Sequence, residues 1–162
     1  MKRFMSILAT LALMAAALVS CDKDDPKPEP QPLDPSYLPG KTFIYKEVVG
    51  KDSKVLRITF PSGTDRTFHG MRQLVIDKPG ADFSMLAEGY DGIYTTRGNK
   101  ITAKLRSLSR EKVVGNSNAV REDFSYKAGQ EPILFEGEVD AAQGKITLRA
   151  WDETIVIKLV TY

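Results

Sequence analysis

The chain has 162 residues, with 23 lysines and arginines against 21 aspartates and glutamates. Two of the basic residues, Lys2 and Arg3, lie in a segment that we expect to be removed, and the remainder then carries 21 charges of each sign. This balance argues against a nucleic-acid-binding protein. The single cysteine excludes a fold stabilised by intramolecular disulfides.

The N-terminus has the layout of a secretory signal peptide. Two basic residues precede an apolar stretch from Phe4 to Val19, and the small residue Ser20 lies directly before the only cysteine. We predict a signal peptide over residues 1–20. The alternative is an uncleaved membrane anchor, since about 16 apolar residues approach the roughly 17 to 25 of a spanning helix.

The end of this stretch, Leu18, Val19, Ser20 and Cys21, resembles the lipobox of bacterial lipoproteins. The resemblance implies that the Cys21 thiol is lipidated, that cleavage occurs before Cys21, and that acyl chains such as palmitate attach the protein to a membrane. Two or more acyl chains anchor stably, whereas one chain binds marginally. Without the lipid, Cys21 would be a free thiol or form an intermolecular disulfide.

A short charged run follows, in which Lys23, Asp24 and Asp25 resemble the export signal of surface-displayed lipoproteins of the Bacteroidota type. The resemblance implies an outer-membrane protein that faces the cell exterior. Two alternatives stay open: a solvated acidic spacer without a receptor, and retention at the inner membrane through the preceding Asp22.

Residues 21–40 are predicted to form a disordered acidic tether that begins at the lipidated cysteine. Prolines alternate with polar residues at positions 26, 28, 30, 32, 35 and 39, a composition that favours extended polyproline II and cannot pack a core. At about 3.1 Å per residue, the tether could hold the following domain up to roughly 60 Å from the lipid.

Residues 41–162 alternate between apolar and polar side chains with a period of two, which predicts one all-β domain. The predicted strands cover residues 43–48, 54–60, 66–77, 83–87, 92–96, 100–108, 133–139, 145–150 and 155–162. Gly70 marks a candidate β-bulge. The pattern blurs over residues 109–125, which predicts a polar hairpin or a mobile loop.

Short strands joined by tight turns must close into a barrel or pair as two sheets. We predict an antiparallel meander barrel of about eight to ten strands; a sandwich is one alternative. A second is a trefoil, because Lys-and-Thr motifs recur at roughly 45-residue intervals.

Two segments resemble the small lipocalin-like domains of such lipoproteins. Phe43 stands where that family has a tryptophan, and the resemblance implies a lipocalin-like β-barrel over residues 41–162. The residues that carry it are Gly40, Lys41, Thr42 and Phe43 in the first strand, and Gly92, Tyr94, Gly98, Asn99, Lys100 and Ile101 in the central hairpin.

No set of residues predicts catalysis. His69 is the only histidine, so a histidine zinc cluster is excluded and any triad would depend on this side chain. Two carboxylate pairs, Glu136 with Glu138 and Asp152 with Glu153, fall on an outward strand face and in a turn. We therefore predict no enzyme activity, no metal and no cofactor.

The residues that could contact a ligand are basic or aromatic. Outward strand positions account for most of the basic cluster, and an anionic partner such as a glycan or a lipid headgroup is the functional alternative. This cluster consists of Arg97, Lys100, Lys104, Arg106, Arg110 and Lys112. Among the aromatic residues, Trp151 and Tyr94 are the candidate ligand contacts; alternation places Trp151 outward, on the face of Thr147 and Arg149.

Together these features predict a membrane-anchored, non-enzymatic binding module for a small hydrophobic, amphiphilic or glycan ligand, without a nucleic-acid partner. The alternative is a structural or interaction subunit of an envelope assembly, with an envelope protein as its partner. A cavity above about 300 Å³ favours the first. A filled interior with an apolar outer patch favours the second.

Overall fold

The structure is a computed structural model, which describes residues 32–77 and 82–161. The predicted lipid attachment at Cys21 and the predicted export residues Lys23, Asp24 and Asp25 lie outside the described residues. Within them, the chain forms strands and turns, and no helix is long and apolar enough to cross a membrane.

In the described part of the chain, nine antiparallel strands form one sheet. They are β1 (Lys41–Val49), β2 (Asp52–Phe60), β3 (Thr67–Ile76), β4 (Ser84–Arg97), β5 (Lys100–Val114), β6 (Val120–Ser125), β7 (Ile133–Asp140), β8 (Lys145–Ala150) and β9 (Glu153–Leu159). The sheet order is β4-β3-β2-β1-β9-β8-β7-β5-β6, and β4 also pairs with β5. Eight strands therefore close into a meander barrel, with β6 as an extra strand. The predicted all-β barrel is confirmed, and the sandwich and trefoil alternatives are wrong.

The central hairpin is longer than its sequence pattern predicted. The predicted strands over residues 83–87 and 92–96 are one continuous strand, β4, and β5 continues through the blurred region to Val114. Beyond a turn, β6 pairs with the distal half of β5, from Ser107 to Lys112. Both β6 and β7 lie on the same side of β5, so the hairpin extends past the point where the barrel closes.

We call the end of the barrel that carries the β4–β5 turn at Gly98 the closed barrel, and we describe it as the lower part of the molecule. This part is filled with side chains. Alternate residues point inward, as the period of two requires. Phe60 contacts Phe43 and Tyr94 edge to face, with ring centroids 6.0 and 5.0 Å apart. Phe68 and Phe135 form a third such pair at 5.6 Å. These pairs favour a single packed arrangement of the core.

The packed unit begins upstream of β1. Leu38 is 1% exposed and belongs to the core, and Leu33 and Tyr37 pack against it. The Leu33 amide donates to the Gly98 carbonyl at 3.3 Å. Residues 33–38, predicted as part of the tether, therefore cover the closed end of the barrel, within a compact unit that spans Gln31–Tyr162.

A register shift separates the lower and upper halves of β5. Asp91 pairs with Ser107 but Gly92 pairs with Leu105, so Arg106 is an extra residue and the inward-facing positions change parity there. The expected bulge at Gly70 is wrong, because Gly70 pairs regularly with Ile58 and Tyr90. A Cβ at Gly92 would lie 2.1 Å from the Lys104 carbonyl oxygen, so the strands approach too closely for any side chain there.

Above the closed barrel, strands β1 to β5 continue and β6 joins them, so that six strands form an open half-barrel. Its edges are residues 45–49 of β1 and the outer side of β6, because β9 pairs with β1 only at Phe43 and Ile44 within the described residues. The short β8–β9 hairpin reaches this level only at its turn, where Trp151 lies against Arg72 and Glu153 pairs with Lys54. The upper sheet therefore has a concave face that, among the described residues, the β8–β9 turn covers only in part.

Candidate ligand-binding site

The concave face of the open half-barrel is built from three rows of side chains, set by the register of β2 to β6. The outermost row contains Lys54, Leu74, Leu86, Lys112 and Val120. The middle row contains Leu56, Arg72, Glu88, Arg110 and Glu122. The innermost row, which meets the closed barrel, contains Ile58, Gly70, Tyr90, Leu108 and Phe124.

Two adjoining clefts occupy this face and share Leu74 and Ile76. The cleft on the β1–β2 side has a volume of about 330 Å³, and the cleft on the β4–β5 side about 300 Å³. Leu74 and Leu86 are half-buried, and Ile76 is exposed. These three side chains, which we call the apolar floor of the clefts, are therefore accessible to solvent.

Glu88 is the only buried charged residue among those described, at 3% exposure. Three groups donate hydrogen bonds to its carboxylate: the Tyr90 hydroxyl, Arg72 Nη1 at 3.2 Å, and Arg110 Nε at 2.8 Å. A buried carboxylate is tolerated only when its charge is paired and its lone pairs are satisfied. Glu88 meets both conditions, and it fixes the positions of two guanidinium groups.

The same contacts determine the protonation of this cluster. Burial alone would raise the pKa of Glu88, but hydrogen bonds from Tyr90 and Arg110 outweigh it and hold the pKa below its usual value of 4.5. Burial and the hydrogen bond to Glu88 raise the pKa of the Tyr90 phenol well above its ordinary range. At neutral pH the cluster therefore contains an ionised carboxylate, a neutral phenol and two cations.

Trp151 lies where the half-barrel meets the closed barrel. The Arg72 guanidinium carbon lies 4.4 Å from the centre of its ring system, and Tyr90 lies against it at 5.9 Å. Its φ of 52° places it in a hairpin turn rather than in a strand. The expected outward orientation is wrong, because strand alternation does not apply to a turn residue with positive φ; Trp151 is half-buried against the core.

The second aromatic candidate, Tyr94, lies elsewhere. It is 5% exposed and packs against Phe60 inside the closed barrel. The structure therefore places only Trp151 next to the open concave face.

Charged side chains differ between the two clefts. The β1–β2 cleft contains Glu47, which accepts a hydrogen bond from Tyr45, and Lys54, which is paired with Glu153. The β4–β5 cleft is lined by Arg110 and Lys112 and by no acidic residue among those described. Arg110 is paired with Glu88, so Lys112 is the cation on the β4–β5 side that has no ion-pair partner among the described residues.

The bulge in β5 divides the predicted basic cluster. Arg97, Lys100, Lys104 and Arg106 are exposed on the convex surface, as expected. Arg110 and Lys112 lie on the concave face, because the register shift changes the inward parity above Ser107. Unbroken alternation would place all of them outward, so the sequence pattern missed the two residues that line the cleft.

A polar cluster does surround His69. Asp91 bonds to His69 Nδ1 through one carboxylate oxygen and accepts a hydrogen bond from the Ser107 hydroxyl at 3.2 Å through the other. The carboxylate therefore lies between the histidine and the serine, whereas nucleophilic catalysis requires the imidazole to contact the hydroxyl. The His69 side chain is also 61% exposed.

The acidic pairs form no metal site. Glu136 and Glu138 are exposed and line a cleft of about 440 Å³ on the convex surface together with Arg149. Asp152 and Glu153 are exposed at the β8–β9 turn. In the described part of the chain, no three His, Cys, Asp or Glu residues lie close enough together to hold a metal ion.

Comparison with protein-family models, with curated proteins and with solved structures gives no match to this chain.

Proposed function

We propose that the protein is a lipid-anchored, non-enzymatic binding module with a lipocalin-like barrel, displayed on the outer membrane, and that its open half-barrel binds a small or amphiphilic ligand. The observation that carries the proposal is the pair of adjoining clefts on the concave face, where Leu74 and Leu86 lie beside cationic side chains. Each cleft has the volume at which ligand pockets begin, about 300 Å³.

The position of the ligand follows from packing. An eight-stranded barrel is just wide enough either to be filled by side chains or to hold one small ligand. Here the aromatic residues Phe43, Phe60, Phe68 and Phe135 fill the closed barrel. The proposal therefore places the ligand above the closed barrel, on the concave face.

Ligand binding can be tested with an uncharged fluorescent probe, N-phenylnaphthylamine, added to unlipidated protein comprising residues 22–162. Leu86→Asp should abolish the fluorescence increase, because it places a charge on the apolar floor of the cleft. The control is Val156→Asp, which adds the same charge at an exposed site on the convex side of β9. Equal binding by both variants would refute the proposed site.

The anchor is tested separately. Cys21→Ser should abolish palmitate labelling and membrane association, because the proposed lipid is attached to that thiol. Alanine at Lys23, Asp24 and Asp25 should retain the label but lose surface display. Protease added to intact cells measures the second effect, and equal digestion of wild type and variant would reduce the acidic run to a spacer.

One observation favours the alternative of an interaction subunit in an envelope assembly. The closed barrel is filled, and the free edge strand β6 carries exposed apolar side chains, with Val120 at 62% and Phe124 at 42% exposure. An exposed edge of this kind can pair with a strand of another chain. Under this alternative, Val120→Lys would abolish a cross-linked envelope complex, and N-phenylnaphthylamine would not bind.

A further inference from the structure

We propose that the ligand of the open half-barrel is a single-chain amphiphile with an anionic head, and that Arg110 and Lys112 bind the head while Leu74 and Leu86 contact the aliphatic chain. This inference rests on the proposed binding function and specifies the chemical class of its ligand.

Arg110 is held so that part of its guanidinium is available. Its Nε donates to Glu88 Oε1 at 2.8 Å, which fixes the group from below. The side chain is 40% exposed and lines the β4–β5 cleft. A guanidinium anchored by one nitrogen keeps two terminal nitrogens as donors, and these suit a carboxylate, sulfate or phosphate oxygen.

Lys112 supplies a second cation on the same face, two residues farther along β5. It is exposed and has no ion-pair partner among the described residues. The charge of Lys112 attracts an anion, the terminal nitrogens of Arg110 can donate to it, and the adjacent leucines select an anion that carries an aliphatic chain.

One carboxylate competes for Arg110. Glu122, directly opposite on β6, places Oε2 3.9 Å from Arg110 Nη1, and its side chain is 52% exposed. This contact is too long for a hydrogen bond and is open to solvent, so it is weak. An anionic head can therefore replace it, and removing the Glu122 charge should improve binding.

The neighbouring cleft does not offer the same site. Lys54 is paired with Glu153 and lies near the Tyr45 ring, and Asp52 accepts a hydrogen bond from the Asp77 amide at 2.9 Å. Glu47 adds a negative charge to that lining. An anionic head is thus directed to the β4–β5 side.

The test compares three compounds with the same chain and different heads: decanoate, decanol and decyltrimethylammonium. Each is titrated as monomer, at low salt and at a pH where decanoate is ionised, into unlipidated protein comprising residues 22–162. The fluorescence of Trp151, the only tryptophan, reports binding from the base of the half-barrel. Decanoate should bind at least about fivefold more tightly than decanol, and high salt should reduce the difference.

Matched substitutions locate the head. Lys112→Gln should weaken decanoate binding about two- to fivefold, and Glu122→Gln should strengthen it by a similar factor. Lys104→Gln makes the same change in the same strand and should have no effect. The bulge lies between the two lysines, so Lys104 is on the convex surface and Lys112 on the concave face. Decanol binding should be unchanged in all three variants.

The outcomes separate the two proposals. If none of the decyl compounds binds, the proposed binding function itself fails. If all three bind equally, or if Lys104→Gln and Lys112→Gln have equal effects, binding stands but the anionic-head inference is overturned. The inference is also overturned if the protein sediments with phosphatidylglycerol vesicles but does not bind decanoate. The partner would then be an anionic membrane surface and not a single amphiphile.

Discussion

The closed barrel and the open half-barrel share strands β1 to β5, yet they use the inward face of those strands differently. In the closed barrel, strands β7 to β9 lie across from that face and its side chains are apolar and buried. In the open half-barrel, among the described residues, only the β8–β9 turn reaches that face, and the face carries leucines, two arginines and Glu88. What lies across a sheet therefore decides which side chains the inward positions can contain, and the strand pattern alone does not.

Leu148→Asp should cause the largest loss of stability. Leu148 is fully buried in the closed barrel, so the change leaves an unpaired charge in the core and should lower the free energy of unfolding by more than about 4 kcal/mol. The neighbouring Arg149 is exposed, and Arg149→Asp should cost less than about 1 kcal/mol. Urea melts followed by Trp151 fluorescence compare them; equal midpoints would contradict the inward assignment of Leu148.

Glu88→Gln should cost about 3 kcal/mol at neutral pH, because it leaves two guanidinium groups at the base of the half-barrel without their carboxylate. The native pKa of Glu88 is lowered, so the native state binds this proton less readily than the unfolded chain. Its contribution is present above about pH 4.5 and is lost as the pH falls through the native pKa. Melts from pH 7 to pH 3 should show the variant and wild type converging in acid; a constant difference would contradict this origin.

Gly92→Ala should lower the free energy of unfolding by about 2 to 3 kcal/mol, because the new Cβ would overlap the Lys104 carbonyl oxygen and the Phe68 ring. Gly89 is the control in the same strand: a Cβ there meets no atom within 4 Å, and Gly89→Ala should change stability by less than about 0.5 kcal/mol. Thermal melts followed by circular dichroism measure both. Equal losses would mean that the strands do not approach closely at the bulge.

Apart from the control variants, Leu86→Asp should have the smallest effect, about 1 kcal/mol, because Leu86 is only half-buried on the open concave face. It introduces the same side chain as Leu148→Asp, so the two changes compare the regions directly. A loss as large as that of Leu148→Asp would show that the half-barrel is covered in solution. The retained stability also means that loss of probe binding by this variant reports the cleft rather than unfolding.

The sequence predicted those features that depend on unbroken alternation. Phe43, Ile58, Leu148 and Ile157 are all buried at inward positions, which accounts for the confirmed all-β barrel. The meander order followed because consecutive strands pair with each other, except that β7 pairs with β5 rather than with β6. A period of two needs only local steric rules, so it can be recognised without knowing the partner strands.

The candidate site was not predictable in the same way. It depends on an extra residue at Arg106, and a single inserted residue exchanges the faces of every later side chain in the strand. The one local sign of this shift is that two polar residues, Arg106 and Ser107, separate Leu105 from Leu108, which breaks the alternation. The burial of Glu88 was missed as well, because it requires Arg72 and Arg110 from two neighbouring strands.

The seam that closes the barrel joins the first strand to the last. β1 pairs with β9 at Phe43–Leu159 and Ile44–Lys158, and the Val160 amide donates to the Thr42 carbonyl at 2.9 Å. The barrel closes at Phe43 only when β9 pairs with β1, so its closure depends on residues more than a hundred positions apart in the sequence. Contacts between such distant residues form slowly, so closing this seam should be the late step in folding, and a substitution there should slow folding as well as lower stability.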